Sequence, residues 1–587
     1  MYDLAYFQSI AEQMIAADRE RDRMLRAMDD MWHNRWALPP NVAGLKWIHK
    51  VVSSDPHDAI RAGTRVLSSV APRLTVQPLG AGEEGRARAE QVERALAWTF
   101  RNASRRRQAS VLRDVVLSAL LYDEVVAQVV YLPEQLEAQE QLKVEGSRLD
   151  AAGRFGPFAI VVRNPQQVHV RYSDWMPEAV LLKKVMSVQQ AADFWGKKAT
   201  MLEKQAGRLP RRGKTSARND AAMAYCTLYD YMDLEQRAVW AVPQADGRGL
   251  AEPRGSEEAG AVEILREQHG LGFLPWAAKV GGTTLAEGAG QQRIPLLYSL
   301  YTSGQWETQN IVETLLASEV ISYAAAPRLK VEGPSDGVEV DYGEPGRPAY
   351  VPPGHSLSPM APPGMDQGLA AIAQRVAERI AKSTVPRVLQ TGEIPAGAAF
   401  ATLNLATQSG VKSLAPYKEL AEDALAEVFT LMLNWLQRSG LPLEARDGRR
   451  GRGQRLSIAA AELADLVVDV ELTADVPSDR LARINAASMA VRDLGYSRER
   501  ALEQIGETDA REVMRQAEAE QLEAVDLEIE KQRRLALAPA KTADALEKRE
   551  SAASSAGLGQ GFNPAAGGTP PVVANPEAVA GAKHAGT

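Results

Sequence analysis

Two helical patterns bracket a segment that cannot be helical, and this bracket constrains the fold more than any other stretch of the chain. The first pattern runs from Pro295, suited to a first helical turn, to Tyr323. Its surface is rich in uncharged polar groups: Ser299, Thr302, Ser303, Gln305, Thr308, Gln309 and Asn310. From Pro327 to Pro363, proline and glycine are dense, and Val331, Val338 and Val340 alternate with acids. That composition predicts short strands and turns. The second pattern runs from Asp366, placed to cap, to Ser383. Val385-Pro386 ends it, because a residue before proline is pushed out of the helical region. The expected unit is a helical hairpin carrying a small β insert at its tip.

The flanks are mixed. Residues 2–32 read as helix, with Leu4, Phe7, Met14, Met24, Leu25 and Met28 on one side. The alternating charges Asp18-Arg19-Glu20-Arg21-Asp22-Arg23 predict a solvated face. A helix over 56–70 starts from Ser54 or Asp55, with proline in its first turn. Residues 84–131 read as helix in two pieces broken near Asn102. The period then changes. Residues 158–162 and 168–172 are strand-like, and 225–229 with 238–242 resemble a hairpin. A helix around 187–205 and a basic loop, Arg208 to Arg218, lie between them, and a glycine-rich stretch at 281–290 closes the block. Beyond the bracket, 387–399 is a loop with Gly392, Pro395 and Gly397. Helices follow at 398–409 and 413–437, the second with Leu414, Tyr417, Leu420, Leu425, Val428, Leu431 and Trp435 on one face. A basic loop at 447–455, a strand at 467–472, and helices at 479–492 and 498–534 complete the pattern. From 551 the chain is mostly Ala, Gly, Pro and Ser, a composition expected to stay disordered. The fold class is α+β and helix-rich.

Composition excludes several functions. The 587 residues carry a net charge of −7, unlike a protein that grips nucleic acid. One cysteine, Cys226, rules out an internal disulfide and a cysteine-built zinc site. It sits in an apolar strand and reads as a small buried hydrophobe. The start of the chain is not a secretory signal. The most apolar run, Val115 to Val130, is interrupted by Asp123 and Glu124 and is short for a membrane span. A soluble, non-secreted protein is expected. Gly207 to Thr215 ends like a phosphate-binding loop, but five residues separate its glycines where four are needed. Pro210 also removes a backbone donor. The seven histidines (His33, His49, His57, His169, His269, His355 and His584) show no helical pair spacing. His169 reads as a packed strand residue. The arginines Arg101, Arg105, Arg106 and Arg107 fit either a solvated helix end or a contact with phosphate or an acidic neighbour. No catalytic residue, metal or cofactor is expected, and the chain reads as a non-enzyme.

In order and local pattern, residues 50 to 530 resemble the portal proteins of tailed double-stranded-DNA bacteriophages. Ser54-Asp55-Pro56-His57-Asp58-Ala59-Ile60 through Pro72-Arg73-Leu74-Thr75-Val76 is similar to the start of a portal wing. Arg113-Asp114 through Leu121-Tyr122-Asp123-Glu124 is similar to the wing helix that leads into a strand, with Asp123 where a glycine is often found. Ile294-Pro295-Leu296-Leu297 resembles the start of the first stem helix. The 327–363 insert resembles the clip. Gly364-Met365-Asp366-Gln367 to Val385-Pro386 resembles the second stem helix. Leu494-Gly495-Tyr496-Ser497 with Ile505-Gly506-Glu507-Thr508-Asp509 resembles the helix–turn–helix opening the crown.

The resemblance implies a division into N-terminal helices and wing (1–290), first stem helix (291–326), clip (327–363) and second stem helix (364–386). A tunnel loop with its following helix (387–412), a wing return (413–478), a crown (479–540) and a tail (541–587) complete it. It implies a homo-oligomeric ring, commonly a dodecamer, at one capsid vertex of the virion, assembled in the host cytoplasm. Double-stranded DNA would pass through it during packaging and ejection. The implied partners are the terminase large subunit, the major capsid protein and scaffold, and a head–tail adaptor, with no membrane. Gln390 and Glu393 of the tunnel loop would approach DNA. In the clip, Glu332, Asp336, Glu339, Asp341 and Glu344 outnumber Arg328, Lys330 and Arg347 and would form an acidic collar. Two other readings compete: a minor head or adaptor protein, and an NTPase or nuclease using the 207–215 loop.

Overall fold

The computed structural model describes residues 2–43, 48–79, 83–107, 109–131, 158–173, 176–195, 225–244, 260–282, 293–325, 329–333, 356–359, 367–385, 410–446 and 455–473, with scattered positions beyond, chiefly 484–532. It divides into two compact units, one formed by 1–494 with 504–508, the other by 495–503 with 509–587. The described residues of the second unit are largely helical. All that follows concerns the first.

The chain opens with α1 (Leu4–Ala17) and α2 (Arg19–Trp32), separated at Asp18, then a short turn α3 (Pro40–Ala43) and α4 (Asp55–Ser68). Strand β1 (Arg73–Pro78) precedes α5 (Glu83–Arg107) and α6 (Val111–Tyr122). The helical reading of 84–131 is corrected twice. Asn102 is buried within an unbroken α5, and the next helix starts at Val111, capped by Ser110. Residues 124–131 form a strand and not the end of a helix. Asp123 takes the left-handed conformation (φ 52°) and stops α6, and the β-branched run after it favours a strand.

Strands β2 (Glu124–Tyr131), β3 (Phe158–Arg163) and β9 (Trp276–Val280) make an antiparallel sheet in the order β3-β2-β9. A five-stranded antiparallel sheet runs in sequence order: β4 (Val168–Ser173), β5 (Met176–Ser187), β6 (Tyr225–Asp233), β7 (Gln236–Gln244) and β8 (Val262–Gln268). The β6–β7 hairpin matches expectation. Strands β5, β8 and β9 were not legible. The helix expected from 187 to 205 is described as α7 (Val188–Trp195). Alternation splits the two faces of the five-stranded sheet. Leu181, Tyr231, Ala238 and Trp240 meet Phe7, Ile10 and Met14 of α1. Cys226, Leu228, Val239 and Ala241 meet α7. Burial pushes the Cys226 thiol up to about 11, consistent with a hydrophobe rather than a nucleophile.

The expected helix over 295–323 is two pieces: α8 (Tyr298–Ser303) and α9 (Gln305–Ala325). Gly304 separates them in a left-handed conformation (φ 62°) that side-chain-bearing residues disfavour. Strands β10 (Leu329–Glu332) and β11 (Ser356–Pro359) pair antiparallel, and α10 (Gln367–Ser383) follows. After α11 (Ala415–Ser439), the strands β12 (Leu443–Arg446), β13 (Arg455–Ile458) and β14 (Leu466–Glu471) complete the first unit.

The main core is built by α2, α4, α5, α6, α8, α11 and β2 around Val92, Leu96, Val115, Leu120, Leu425, Val428 and Phe429. Segments from both sides of the α9–α10 bracket contribute. Strand β14 pairs antiparallel with β1, and α11 packs on α6, β2 and β9. The α9–α10 segment is therefore inserted into a body that closes across it. Among the described residues no helix is long and apolar enough to cross a membrane.

Candidate functional site

Helices α9 and α10 pack together, and β10 pairs with β11 across four residue pairs between them: Leu329 with Pro359, Lys330 with Ser358, Val331 with Leu357, and Glu332 with Ser356. This is the helical hairpin with a β insert that the bracket predicts. Of the proposed collar acids, Glu332 is exposed at the end of β10. Asp336, Glu339, Asp341 and Glu344 lie outside the described residues, as do Gln390 and Glu393, the 207–215 loop and the tail from 551.

The polar surface of α8 and α9 divides into an exposed part and a buried part. Ser299, Thr302, Ser303 and Thr308 are exposed, but Gln309 and Asn310 are buried. Asn310 begins a column at four-residue spacing, with Thr314 and Ser318, that faces an extended strap of residues 48–53. Asn310 Oδ1 accepts the Ser53 N–H at 2.8 Å, Thr314 Oγ1 the Val51 N–H at 3.1 Å, and Ser318 Oγ the His49 N–H at 2.8 Å. Thr314 also donates to the Val51 carbonyl, and Trp306 Nε1 to the Ser53 carbonyl. Geometry permits this pairing. Four helical residues rise ~6.0 Å and two strand residues ~6.7 Å, so every second amide of the strap meets every fourth helix residue. Gln309 adds a bond to Asp55 at the start of α4.

A second attachment lies at the corner between α6 and β2. The Asp123 carboxylate accepts the Ile294 N–H at 2.8 Å and the Gly282 N–H at 3.3 Å, and its carbonyl accepts the Gly281 N–H. A Cβ at Gly281 would overlap the Asp123 carboxylate, so only glycine fits there. The Leu120 carbonyl takes the Leu296 N–H, and the Tyr417 hydroxyl donates to the Ile294 carbonyl. The chain is thus held on both sides as it enters α8.

Beside Asp123, the Glu124 carboxylate is 1% exposed and receives two arginines. Arg21 reaches it through Nε at 3.0 Å and Nη2 at 2.9 Å; Arg293 reaches it through Nε at 2.6 Å. Arg21 also donates to the Pro165 and Val168 carbonyls and to Asp18. Asp18 in turn accepts from Nδ1 of His169, itself 1% exposed. The solvated face expected at 18–23 is therefore only partly solvated. Arg19, Glu20 and Arg23 are exposed, but Arg21 is a buried crosslink joining α2, β2 and β4, and Glu124 extends the link to Arg293 ahead of α8. His169 is the packed strand residue expected.

Electrostatics differ among these carboxylates. Burial raises the Asp18 pKa, but the His169 bond and Arg21 outweigh it and hold Asp18 below its ordinary value. For Asp123, burial dominates over the two N–H bonds and Arg293, and its pKa is raised. For Asp22, burial likewise outweighs His169 and Arg21. Arg21 is raised although burial opposes it, because Glu124 and Asp18 favour its charge. Sequence reasoning overlooked this cluster. The available signal was Asp123 and Glu124 within the most apolar run of the chain, since acids buried among apolar neighbours must be paired.

No family model matches the chain, and no curated protein matches it in sequence. Among solved structures, it is similar to a chain in the neck of an empty GTA particle, at 13% identity and a TM-score of 0.39, over 80% of this chain and 94% of that one. It is similar to a chain in the virion of a native gene transfer agent (GTA) particle, at 11% identity and a TM-score of 0.37, over 80% and 94%. A chain in the neck of a native GTA particle computed with C12 symmetry is similar at 12% identity and a TM-score of 0.33, over 76% and 99%.

Proposed function

We propose that this chain is a portal protein of a phage-like particle: a ring at one capsid vertex through which double-stranded DNA passes during packaging and ejection. The observation that carries the reading is the inserted hairpin. Two packed helices bracket a small antiparallel β unit, and the chain on either side returns to one shared core through the β1–β14 pairing. This arrangement supports the stem and clip, set in a wing, that the sequence resemblance implies.

Charge supports the conduit role. A channel must let a polyanion slide, and each phosphate that a base neutralises adds counterion-release affinity that would hold the DNA in place. Between Arg293 and Arg328 the sequence has no Lys, Arg or His. Twelve copies would carry a formal charge of about −84 from −7 each. The clip would meet the terminase motor and later an adaptor, and the wing would meet the shell. The reading assigns no catalysis to the chain; packaging energy would come from the separate motor.

The test is the mass and shape of the purified full-length chain, by light scattering and negative-stain imaging across concentration and salt. A closed ring of twelve 63.7 kDa chains has a mass of roughly 764 kDa and images as an annulus. A monomer in every condition would overturn the reading.

A further inference from the structure

The two helices of the hairpin differ in charge. Helix α9 carries three acids, Glu307, Glu313 and Glu319, and no base. Helix α10 carries three bases, Arg375, Arg379 and Lys382, against one acid, Glu378. Among the described residues, none of the three α9 acids has an ion-pair partner, and neither does Arg375. Glu307, Arg375 and Arg379 are exposed. The α9 acids are six residues apart, so each is turned about 240° from the last and together they divide the circumference. Glu307 is exposed and Glu313 and Glu319 are half-buried, so α9 brings carboxylates to the surface on more than one side. On α10, Arg375 and Arg379 are four apart and share one face. Apolar side chains are exposed beside these charges: Val320 (54%) and Ile321 (39%) on α9, and Ile372 (45%) on α10.

We propose that the α10 face of Arg375, Arg379 and Ile372 docks on α9 of a second copy of this chain, base to acid, with Val320 and Ile321 closing the contact. The occupant is argued from charge. A surface with bases on one helix and acids on the other is complementary to a second copy of itself; of the two arrangements this allows, two-fold and head to tail, the ring reading selects the head-to-tail contact, the heterologous kind that closes into rings. Two like helices facing each other would set acid against acid or base against base. This inference rests on the ring reading and adds to it the pairing that orients neighbouring subunits.

Two variants test it. One carries E307K/E313K/E319K, the other R375E/R379E, each in the full chain. Each reversal alone sets like charges at every junction, and the ring species is lost from light scattering while the circular dichroism and melting midpoint stay those of the wild type. Mixing the two restores rings, because both junctions of an alternating arrangement become complementary. The wild-type ring also loosens as salt rises, since exposed pairs are screened. Rings formed by either variant alone, as readily as by the wild type, would overturn the pairing and leave the portal reading standing. The same holds if R375E/R379E assembles normally but loses affinity for double-stranded DNA, which would make the α10 bases a DNA contact. A wild type that stays monomeric at every salt removes the ring reading and this pairing together.

Discussion

Two polar clusters hold the hairpin to the body, one made of charges and the other of neutral groups. At the α6–β2 corner, Asp123 and Glu124 bind the start of the hairpin through backbone amides and two arginines. Along α9, Asn310, Thr314 and Ser318 bind the 48–53 strap with one carbonyl and two hydroxyls. In both, the anchoring side chains are buried: Asp123 and Glu124 at the corner, and Asn310, Thr314 and Ser318 on α9. They differ in what happens when one member is removed. A lost amide or hydroxyl strands a neutral N–H, whereas a lost carboxylate strands a charge. They differ also in pH response, since the strap ladder has nothing to titrate between its hydroxyl and amide partners.

The largest break should come at Glu124. Glu124→Ala leaves Arg21 and Arg293 without their shared carboxylate, and removing one partner of a buried pair costs about 3–5 kcal/mol. A large drop in the denaturation midpoint is expected, with Glu124→Gln intermediate. By contrast, replacing exposed Glu178, paired with exposed Arg171, should cost under about 1 kcal/mol. Gly281→Ala forces a methyl group into the Asp123 carboxylate and should cost about 1–3 kcal/mol. In a double-mutant cycle, Asp123→Ser should recover part of that loss, because the two sites share one contact.

The neutral ladder gives the next effect. Asn310→Ala strands the Ser53 N–H and should cost about 1–2 kcal/mol. Hydrogen exchange should show faster exchange at the amides of residues 49, 51 and 53, with no dependence of the loss on pH between about 4 and 8. The smallest effect is one of sign. Asp18 has a lowered pKa when folded, so its stabilisation is complete above its ordinary 3.8 and is lost as pH falls through the folded value. Asp123 has a raised pKa, so its contribution is complete below 3.8 and is lost as pH rises through the folded value. Melting curves followed from about pH 3 to 6 should therefore show a shallower acid loss in Asp18→Asn and a steeper one in Asp123→Asn. Equal slopes in the two variants would remove the distinction.

Much of the hairpin was legible because its signals are local. Proline at 295 and 386, the density of proline and glycine between 327 and 363, and a capping Asp366 act on neighbouring residues, and periodicity needs only a few turns. The strands β5, β8 and β9 were missed for the opposite reason. Strand β5 is paired on both edges and buried in its middle at Ala179 to Leu182, so its run of apolar residues shows no clean alternation. Strand β9 is five residues long and is defined by pairing with β2, more than 140 positions earlier in the sequence. The break at Gly304 was within reach of the sequence, since an isolated glycine in a helical pattern signals a possible stop.

The sequence alone determined the alternation of helical and extended stretches, the bracketed insert, the absence of bases between Arg293 and Arg328, and the single cysteine in an apolar strand. These follow from composition and from spacing over a few residues. Only the tertiary structure decided which polar residues are spent inside. Arg21 lies in a run of alternating charges indistinguishable from a wetted surface, and Asn310 in a polar stripe that reads the same way. Both are buried because partners more than 100 and 250 residues away, Glu124 and Ser53, reach them in space. Burial of a polar group depends on whether a partner arrives to satisfy it, and local sequence does not encode that arrival.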